Sequence, residues 1–329
     1  MRTTVQDVAR AAGVSVSTVS RALTGGSVSP ATREAVVAVA HRLGYQPNRA
    51  ARGLITGRTG NLGLIVPDLR NPFFADVAKG VTARARAVDY GVFISDTDED
   101  PVAELEAIAT LRHNTDGILL CSPRARDTEL LAAADPQNTV LLHRRVPGLS
   151  SVVADIVDGI RQAVQHLRAL GHRRIAYVSG PEDSWATRQR LAGLASFDGG
   201  DLEIVSIGSV APTFDGGVLA GDLVLAAPAT AVLAYNDLVA MGLLHRLAAR
   251  GAVVPDRMSV VGYDDVSLAG MSHPPLTSVS VPKDRAGAIG LDLLLGRAGS
   301  MTAAQGAEVI LPTTLVVRAS SGEPSELPR

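Results

Sequence analysis

From Asn61 onward, short apolar runs alternate with amphipathic stretches, and this alternation restricts the fold more than any other feature of the chain. Candidate strands are Leu62–Val66, Gly91–Ser95, Gly117–Leu120, Val140–Leu142, Ile175–Val178, Ile204–Ile207, Ala231–Ala234 and Ser259–Gly262. Helical stretches near 73–89, 101–113, 159–170, 186–195, 216–226 and 237–250 fall between most of them. Strands that alternate with helices pair in parallel, because each crossover helix returns the chain to the same end of the sheet and covers a face. About 250 residues of this texture exceed one comfortable sheet, so two α/β lobes are expected.

The first 45 residues read differently, as three short helices. Thr4 is placed to cap the first, with Asp7 three residues on to reach back to its amide. Val5, Val8, Ala9 and Ala12 then share a face, and Gly13 supplies a permissive turn. Ser15 caps a second helix carrying Val19 and Leu23 at i, i+4, and Gly25-Gly26 ends it. Ser29-Pro30 opens a third, whose apolar face is Val36, Val39, Ala40 and Leu43 and which Gly44 closes. Two short helices joined at Gly13 inside a three-helix unit predict a helix-turn-helix. Generic three-helix packing, with Ser and Thr as caps, is the alternative.

Charge separates the two regions. Residues 1–58 hold eight arginines against Asp7 and Glu34, or +6, while the whole chain is −2, which leaves −8 for the remainder. A basic head on an acidic body points to a polyanionic partner for the head alone. Val16, Ser17, Thr18, Ser20 and Arg21 at the start of the second helix are side chains that fit a major groove, since hydroxyls and Arg reach both phosphates and base edges.

The stretch VQDVARAAGVSVSTVSRAL, followed by VSPATREAVVAVAHRLGYQPNRAARGL, resembles the headpiece of the lactose-repressor (LacI) family. The resemblance implies that Val16, Ser17 and Arg21 read base edges and that Thr18 and Ser20 hold phosphates. It also implies a hinge helix over about 47–56, with Leu54 as an apolar wedge at a minor-groove step and Asn48 and Arg49 beside it. A two-turn helix containing Gly53 is marginal alone, so this segment is expected to fold only against DNA and a partner hinge. The alternative is a flexible linker with an incidental leucine.

Behind the headpiece the chain resembles the type I periplasmic binding protein-like core that this family carries. The resemblance rests on Asn71-Pro72-Phe73-Phe74, HLRALGHRRIAYVSGP (166–181), Arg188–Gly193, Tyr235-Asn236-Asp237, Val261–Asp265 and Pro274–Val279. It implies a small-molecule effector between the lobes, with Asp158, Arg190, Asn236 and Asp264 as polar contacts and Phe73 and Phe74 as an apolar wall. An Arg with carboxylates and an amide suits a polyhydroxylated, carbohydrate-like molecule. Trp185, the single tryptophan, either stacks on a sugar face or fills the core, and Asp264 and Asp265 are either ligand contacts or solvated turn residues. Ile156 stands where members often have Asn, and 195–200 is short after the Arg190 helix, so the pocket's shape is expected to be its own.

The expected division is a DNA-binding headpiece at 1–58 and a core at 60–329. The N-lobe then spans about 60–157 and 283–311, and the C-lobe about 158–280 and 312–329. The implied protein is a repressor working as a homodimer or dimer of dimers on operator DNA, without cofactor, metal or catalytic residues. The single Cys121 forms no internal disulfide, no apolar run approaches the roughly 20 residues that span a bilayer, and the amino-terminal stretch lacks an export signal's apolar core. A cytoplasmic protein without membrane attachment is expected. No dinucleotide fingerprint, Walker loop or G-x-S-x-G supports an enzyme, and no H-x-x-x-H pair offers a zinc site. Asp96–Asp100 begins like a calcium loop, but Pro101 and Ala107 occupy its sixth and twelfth positions, so it reads as a solvated loop. A secreted sugar-binding protein would fit the core but not the basic head.

Overall fold

The computed structural model describes residues 3–23, 26–45, 58–197, 201–296 and 306–324. The chain divides into two compact units, Met1–Gly60 and Asn61–Arg329.

In the first unit, helices α1 (Val5–Ala12), α2 (Val16–Leu23) and α3 (Pro30–Arg42) pack around Val8, Val19 and Val36, which are fully buried. The local signals within the described residues are realised, while Gly25 lies outside them. Thr4 and Asp7 form a reciprocal capping box, with the Asp7 carboxylate accepting from the Thr4 amide at 2.9 Å. Gly13 adopts φ 64°, where a side chain would be strained, and the Thr18 amide donates to Ser15 Oγ at 3.1 Å. The guanidinium of Arg33 donates to the carbonyls of Ala22 at 2.6 Å and Gly26 at 2.7 Å, closing the end of α2. That arginine is spent on the fold.

The second unit holds β1 (Asn61–Val66), α4 (Pro72–Ala87), β2 (Gly91–Asp96), α5 (Pro101–Asn114), β3 (Ile118–Cys121), α6 (Asp127–Ala133), β4 (Thr139–Leu142) and β5 (Ser150–Ala154). Next come α7 (Ile156–Ala169), β6 (Arg174–Ser179), α8 (Trp185–Ala195), β7 (Glu203–Ser209), α9 (Phe214–Ala226), β8 (Ala231–Ala234), α10 (Asp237–Ala249) and β9 (Ser259–Asp264). A 3₁₀ turn (Ser267–Gly270), β10 (Thr277–Ser280), α11 (Lys283–Leu294), β11 (Glu308–Leu311) and β12 (Thr314–Val316) complete it.

These elements build two six-stranded sheets, ordered β11-β5-β4-β3-β1-β2 and β12-β10-β9-β8-β6-β7. Only β12, paired with β10, runs antiparallel among the described strands. Residues of β3, β4, β8 and β9 are buried throughout, as strands covered on both faces must be. The chain passes between the sheets after β5, after β10 and after β11. After the second passage α11 returns against α4, and the two approach closely at glycines. A Cβ on Gly80 would stand 2.1 Å from the Asp284 carbonyl oxygen, and one on Gly287 would stand 2.6 Å from that of Val77.

The sequence reading misses β5, β10, β11, β12, α6 and α11. TSVS of β10 is too polar to read as a strand, yet Thr277 and Ser278 are fully buried because their hydroxyls find partners in Ser321 and Asp237. β11 pairs with β5 from more than a hundred and fifty positions away, so its strand character comes from the partner. In the acidic run 96–100, Asp100 caps α5, its Oδ1 accepting from the Val102 amide at 2.8 Å, and Asp96 ties the loop after β1 by accepting from the Leu69 amide at 3.0 Å. Among the described residues, no helix is long and apolar enough to cross a membrane, and no group of His, Cys, Asp or Glu is placed to hold a metal ion.

Candidate effector cleft and nucleic-acid interface

Strand ends of both sheets converge on a cleft of about 660 Å³, open mouth included. Phe73 and Phe74 lead α4 after β1, held by Asn71, whose Oδ1 accepts from the Phe73 amide at 3.0 Å. Ser122 to Arg124 follow β3, and His143 and Arg144 follow β4. From the other sheet come Ser184 and Trp185 at the start of α8, Tyr235 and Asn236 after β8, and Asp264 at the end of β9. Ligands of α/β proteins bind at such carboxyl ends.

Arg190 lies at the centre of this wall. Its guanidinium is stacked 4.2 Å from the ring centroids of both Tyr235 and Tyr263, and its Nη2 is 3.6 Å from Asp264 Oδ1. Nε and Nη1 are buried without a protein partner, a costly condition that a bound acceptor relieves. Glu99, Ser122, His143 and Asp264 all line the cleft with positive φ, from 46° to 104°. Such residues cost on the order of 1–3 kcal/mol each and concentrate where a site needs a fixed geometry. At Asp264 and Asp265 the turn is fastened from behind. Lys283 Nζ donates to their carbonyls at 2.6 and 2.9 Å, and Arg318 Nη2 donates to Asp265 Oδ1 at 2.7 Å.

Burial sets the electrostatics. It pushes the Asp264 carboxyl up to about 6, against the pull of Arg190 and Lys283. Asp237, buried behind it and hydrogen-bonded to Ser278 Oγ and the Val266 amide, is pushed up to about 8 by burial and then by Asp264. Burial, with Lys283 nearby, lowers His143 to about 4, so the imidazole is neutral at pH 7. Arg190 is also buried, which opposes its charge, yet Tyr235, Asp264 and Tyr263 hold its pKa above the ordinary value.

In the first unit, α2 turns one face outward. Val16 is 44% exposed, Ser17 and Arg21 are exposed, and Thr18 and Ser20 are half-buried, while Val19 and Ala22 point into the core. Arg21 lies back over the helix, with Nε donating to the Ser17 carbonyl at 3.3 Å. Ser15 Oγ is 2.8 Å from the hydroxyls of both Ser17 and Thr18.

Residues 4–48 match the model of the bacterial regulatory proteins of the lacI family, and residues 164–321 match a periplasmic binding protein-like domain. The chain is 32% identical over 273 residues to the HTH-type transcriptional regulator DegA of Bacillus subtilis (strain 168), spanning 79% of this chain and 81% of that one. The protein belongs to the LacI family. The structure of the Lac repressor dimer bound to operator and the anti-inducer ONPF superposes with a TM-score of 0.84 at 28% identity, covering 98% of this chain and all of that chain. The complex of the transcriptional regulator CelR with cellobiose superposes with a TM-score of 0.69 at 33% identity, over 97% of this chain and all of that one.

As a LacI-family member, the chain is a DNA-binding transcriptional regulator with a helix-turn-helix headpiece and a two-lobed α/β core. Of the effector contacts the resemblance implies, Phe73, Phe74, Arg190, Asn236 and Asp264 line the cleft. Asp158 does not. It sits in the first turn of α7, two residues past the cleft-lining Ile156 and so about 200° round the helix, where its carboxylate accepts from Arg161 and Gln162. Asn236 is largely committed within the fold: Oδ1 caps α10 through the Val239 amide at 2.9 Å and Nδ2 donates to the Pro212 carbonyl at 3.0 Å. Trp185 lines the cleft and is partly buried against the core. Asn48, Arg49 and Leu54 lie outside the described residues. The sequence reading overlooked Arg124, His143, Arg144, Tyr235 and Tyr263, of which the first four follow strand ends and only Tyr263 lies within a strand.

Proposed function

We propose that this LacI-family regulator is a repressor whose operator affinity is set by a small polar effector, a sugar or sugar derivative, held between the two lobes of the core. The observation that carries this reading is Arg190. A buried guanidinium stacked on two tyrosines, beside Asp264 and with Nε and Nη1 free, suits adjacent hydroxyls that both donate and accept. The CelR relative solved with cellobiose supports a carbohydrate-like ligand. On the DNA side, Val16, Ser17 and Arg21 read base edges, Thr18 and Ser20 hold phosphates, and Asn48, Arg49 and the wedge Leu54 act from the hinge.

Residues 1–58 then form the DNA-binding part and 60–329 the effector and dimerisation part of a cytoplasmic homodimer on a pseudo-palindromic operator. The effector acts by favouring one angle between the lobes, which permits or forbids the meeting of two hinge segments on DNA. A ligand with equal affinity for both angles would shift nothing. The test is fluorescence anisotropy of the full chain on the intergenic DNA beside its own gene, with and without candidate sugars. Tight, sequence-selective binding altered by one sugar is expected. Binding indifferent to DNA sequence, or selective binding that no sugar alters, would overturn the reading.

A further inference from the structure

Resting on the cleft as the effector site, we infer that Lys283 is the residue that couples the two lobes, carrying a change at the cleft-facing Asp264 turn into helix α11 and the lobe behind it. The argument begins with where this lysine stands. β10 ends at Ser280 and α11 begins at Lys283, so it lies at the second passage between the sheets. The position is unfavourable for a cation. The side chain is 8% exposed, which strips hydration from the ammonium, and the first turn of a helix presents the positive end of its dipole. What the ammonium holds explains its presence. Asp264 and Asp265 have φ 104° and 50°, two consecutive side-chain-bearing residues in the left-handed region. Three side chains of the described residues fix them. The Asp265 amide donates to Ser278 Oγ at 3.0 Å, Arg318 Nη2 donates to Asp265 Oδ1, and Lys283 Nζ donates to both carbonyls. Ser278 lies on β10 and Arg318 just past β12, in the turn's own sheet. Lys283 belongs to a helix of the other lobe.

That helix is set firmly in its lobe. Besides the close approaches at Gly80 and Gly287, a Cβ on Gly290 would stand 2.4 Å from Leu142 Cδ2 at the end of β4, and Arg84 of α4 pairs with Asp292 of α11 at 2.8 Å. α11 therefore moves together with α4 and β4, which bring Phe73, Phe74 and His143 to the cleft. Burial and then the Lys283 charge lower the His143 pKa, so the ammonium is felt at that wall as well. Close-packed contacts shift between discrete arrangements and deform little, so a displaced Asp264 turn is passed on as movement of a body. A rival route starts one residue earlier, at Tyr263. A Cβ on Gly159 would stand 2.6 Å from its Oη, which ties β9 to α7 after the first passage. But α7 packs on β10 and β12 of the same sheet, so that contact stays within one lobe.

Hydrogen exchange read by mass spectrometry on the full chain tests the coupling without any ligand, in the parent, Asp264→Asn, Lys283→Met and the double variant. Withdrawing the Asp264 charge is expected to change exchange in α11 and α4 by about fivefold or more with Lys283 present, and by less than about twofold with methionine there. Lys283→Gln takes the place of Lys283→Met if that variant does not fold, and Lys283→Arg, which keeps charge and donors, should restore the response. A lysine that only stabilises the fold would give effects additive with Asp264→Asn. Additivity overturns the inference, and so does an α11 that Asp264→Asn leaves unmoved. Operator anisotropy with cellobiose, glucose and ribose separates this from failure of the cleft reading. A sugar that still binds Lys283→Met by calorimetry yet shifts its DNA affinity less than about twofold supports the coupling. A sugar response that survives Lys283→Met intact overturns the coupling and keeps the cleft. Non-additive exchange in a protein whose DNA binding no sugar alters keeps the coupling and removes the effector reading.

Discussion

Arg190 Nη2 and Asp264 Oδ1 stand 3.6 Å apart, close enough to feel each other's charge and too far for a hydrogen bond. Each therefore stabilises the other's ionised form while keeping hydrogen-bonding capacity in reserve. A pair locked at a shorter distance would have less to give a ligand. The two tyrosines hold the guanidinium in that position from either side.

Removing one partner isolates a buried charge. Arg190→Ala is expected to abolish the effector's influence on DNA binding while leaving operator affinity without effector within about threefold. It should also lower core stability by about 3 kcal/mol, since Asp264 loses its counter-charge. Urea denaturation beside operator titration checks both; an unchanged effector response would remove Arg190 from the site.

Asp237 gives the core a pH dependence of definite sign. Its folded-state pKa of about 8 lies above the ordinary 3.8, so the protonated carboxyl contributes stability that is whole below about pH 4 and lost as pH rises through 8. Over pH 5–8 this lowers stability by up to about 1 kcal/mol per pH unit. Asp237→Asn imitates the neutral acid, able to accept from the Val266 amide and donate to Ser278 Oγ. The variant should gain on the parent steadily across that window in urea midpoints; parallel curves would show that Asp237 is already ionised in the fold.

The outward face of α2 separates reading from attraction. Arg21→Ala should cost about 1–3 kcal/mol on the operator and much less on unrelated DNA. Leu54→Ala should likewise weaken operator binding far more than non-specific binding. Equal losses on both DNAs, measured at one salt concentration, would reduce either residue to a phosphate contact or a linker position.

The contact of α4 with α11 leaves no room for a methyl group. Gly80→Ala places a Cβ 2.1 Å from the backbone oxygen of Asp284, so the helices must separate. A loss of about 1–3 kcal/mol is expected, read as a lowered Tm of the core. A neutral result would mean that α11 is free to shift.

Several features were legible from residues alone because their causes are local. The Thr4–Asp7 capping box, the turn at Gly13 and the Ser29-Pro30 helix start depend on side chains three or four positions apart, and each appears in the structure. The strand–helix alternation foretold parallel sheets, because each crossover helix returns the chain to the same end of the sheet and covers a face. Placement just beyond strand ends brought Phe74, Asn236 and Asp264 to the cleft.

What the sequence by itself determined, then, is a basic three-helix head and a two-lobed α/β body, with an effector between the lobes implied by the family resemblance. Only the tertiary structure decided which way each residue faces the cleft. Asp158 turns outward because Ile156 takes the inward position on α7, and Arg190 lies between Tyr235, just past β8, and Tyr263, within β9. Likewise β11 becomes a strand by pairing with β5. The physical reason is common to all three: pairing, stacking and burial depend on neighbours brought together across long separations in the chain, and no local spacing encodes who those neighbours are.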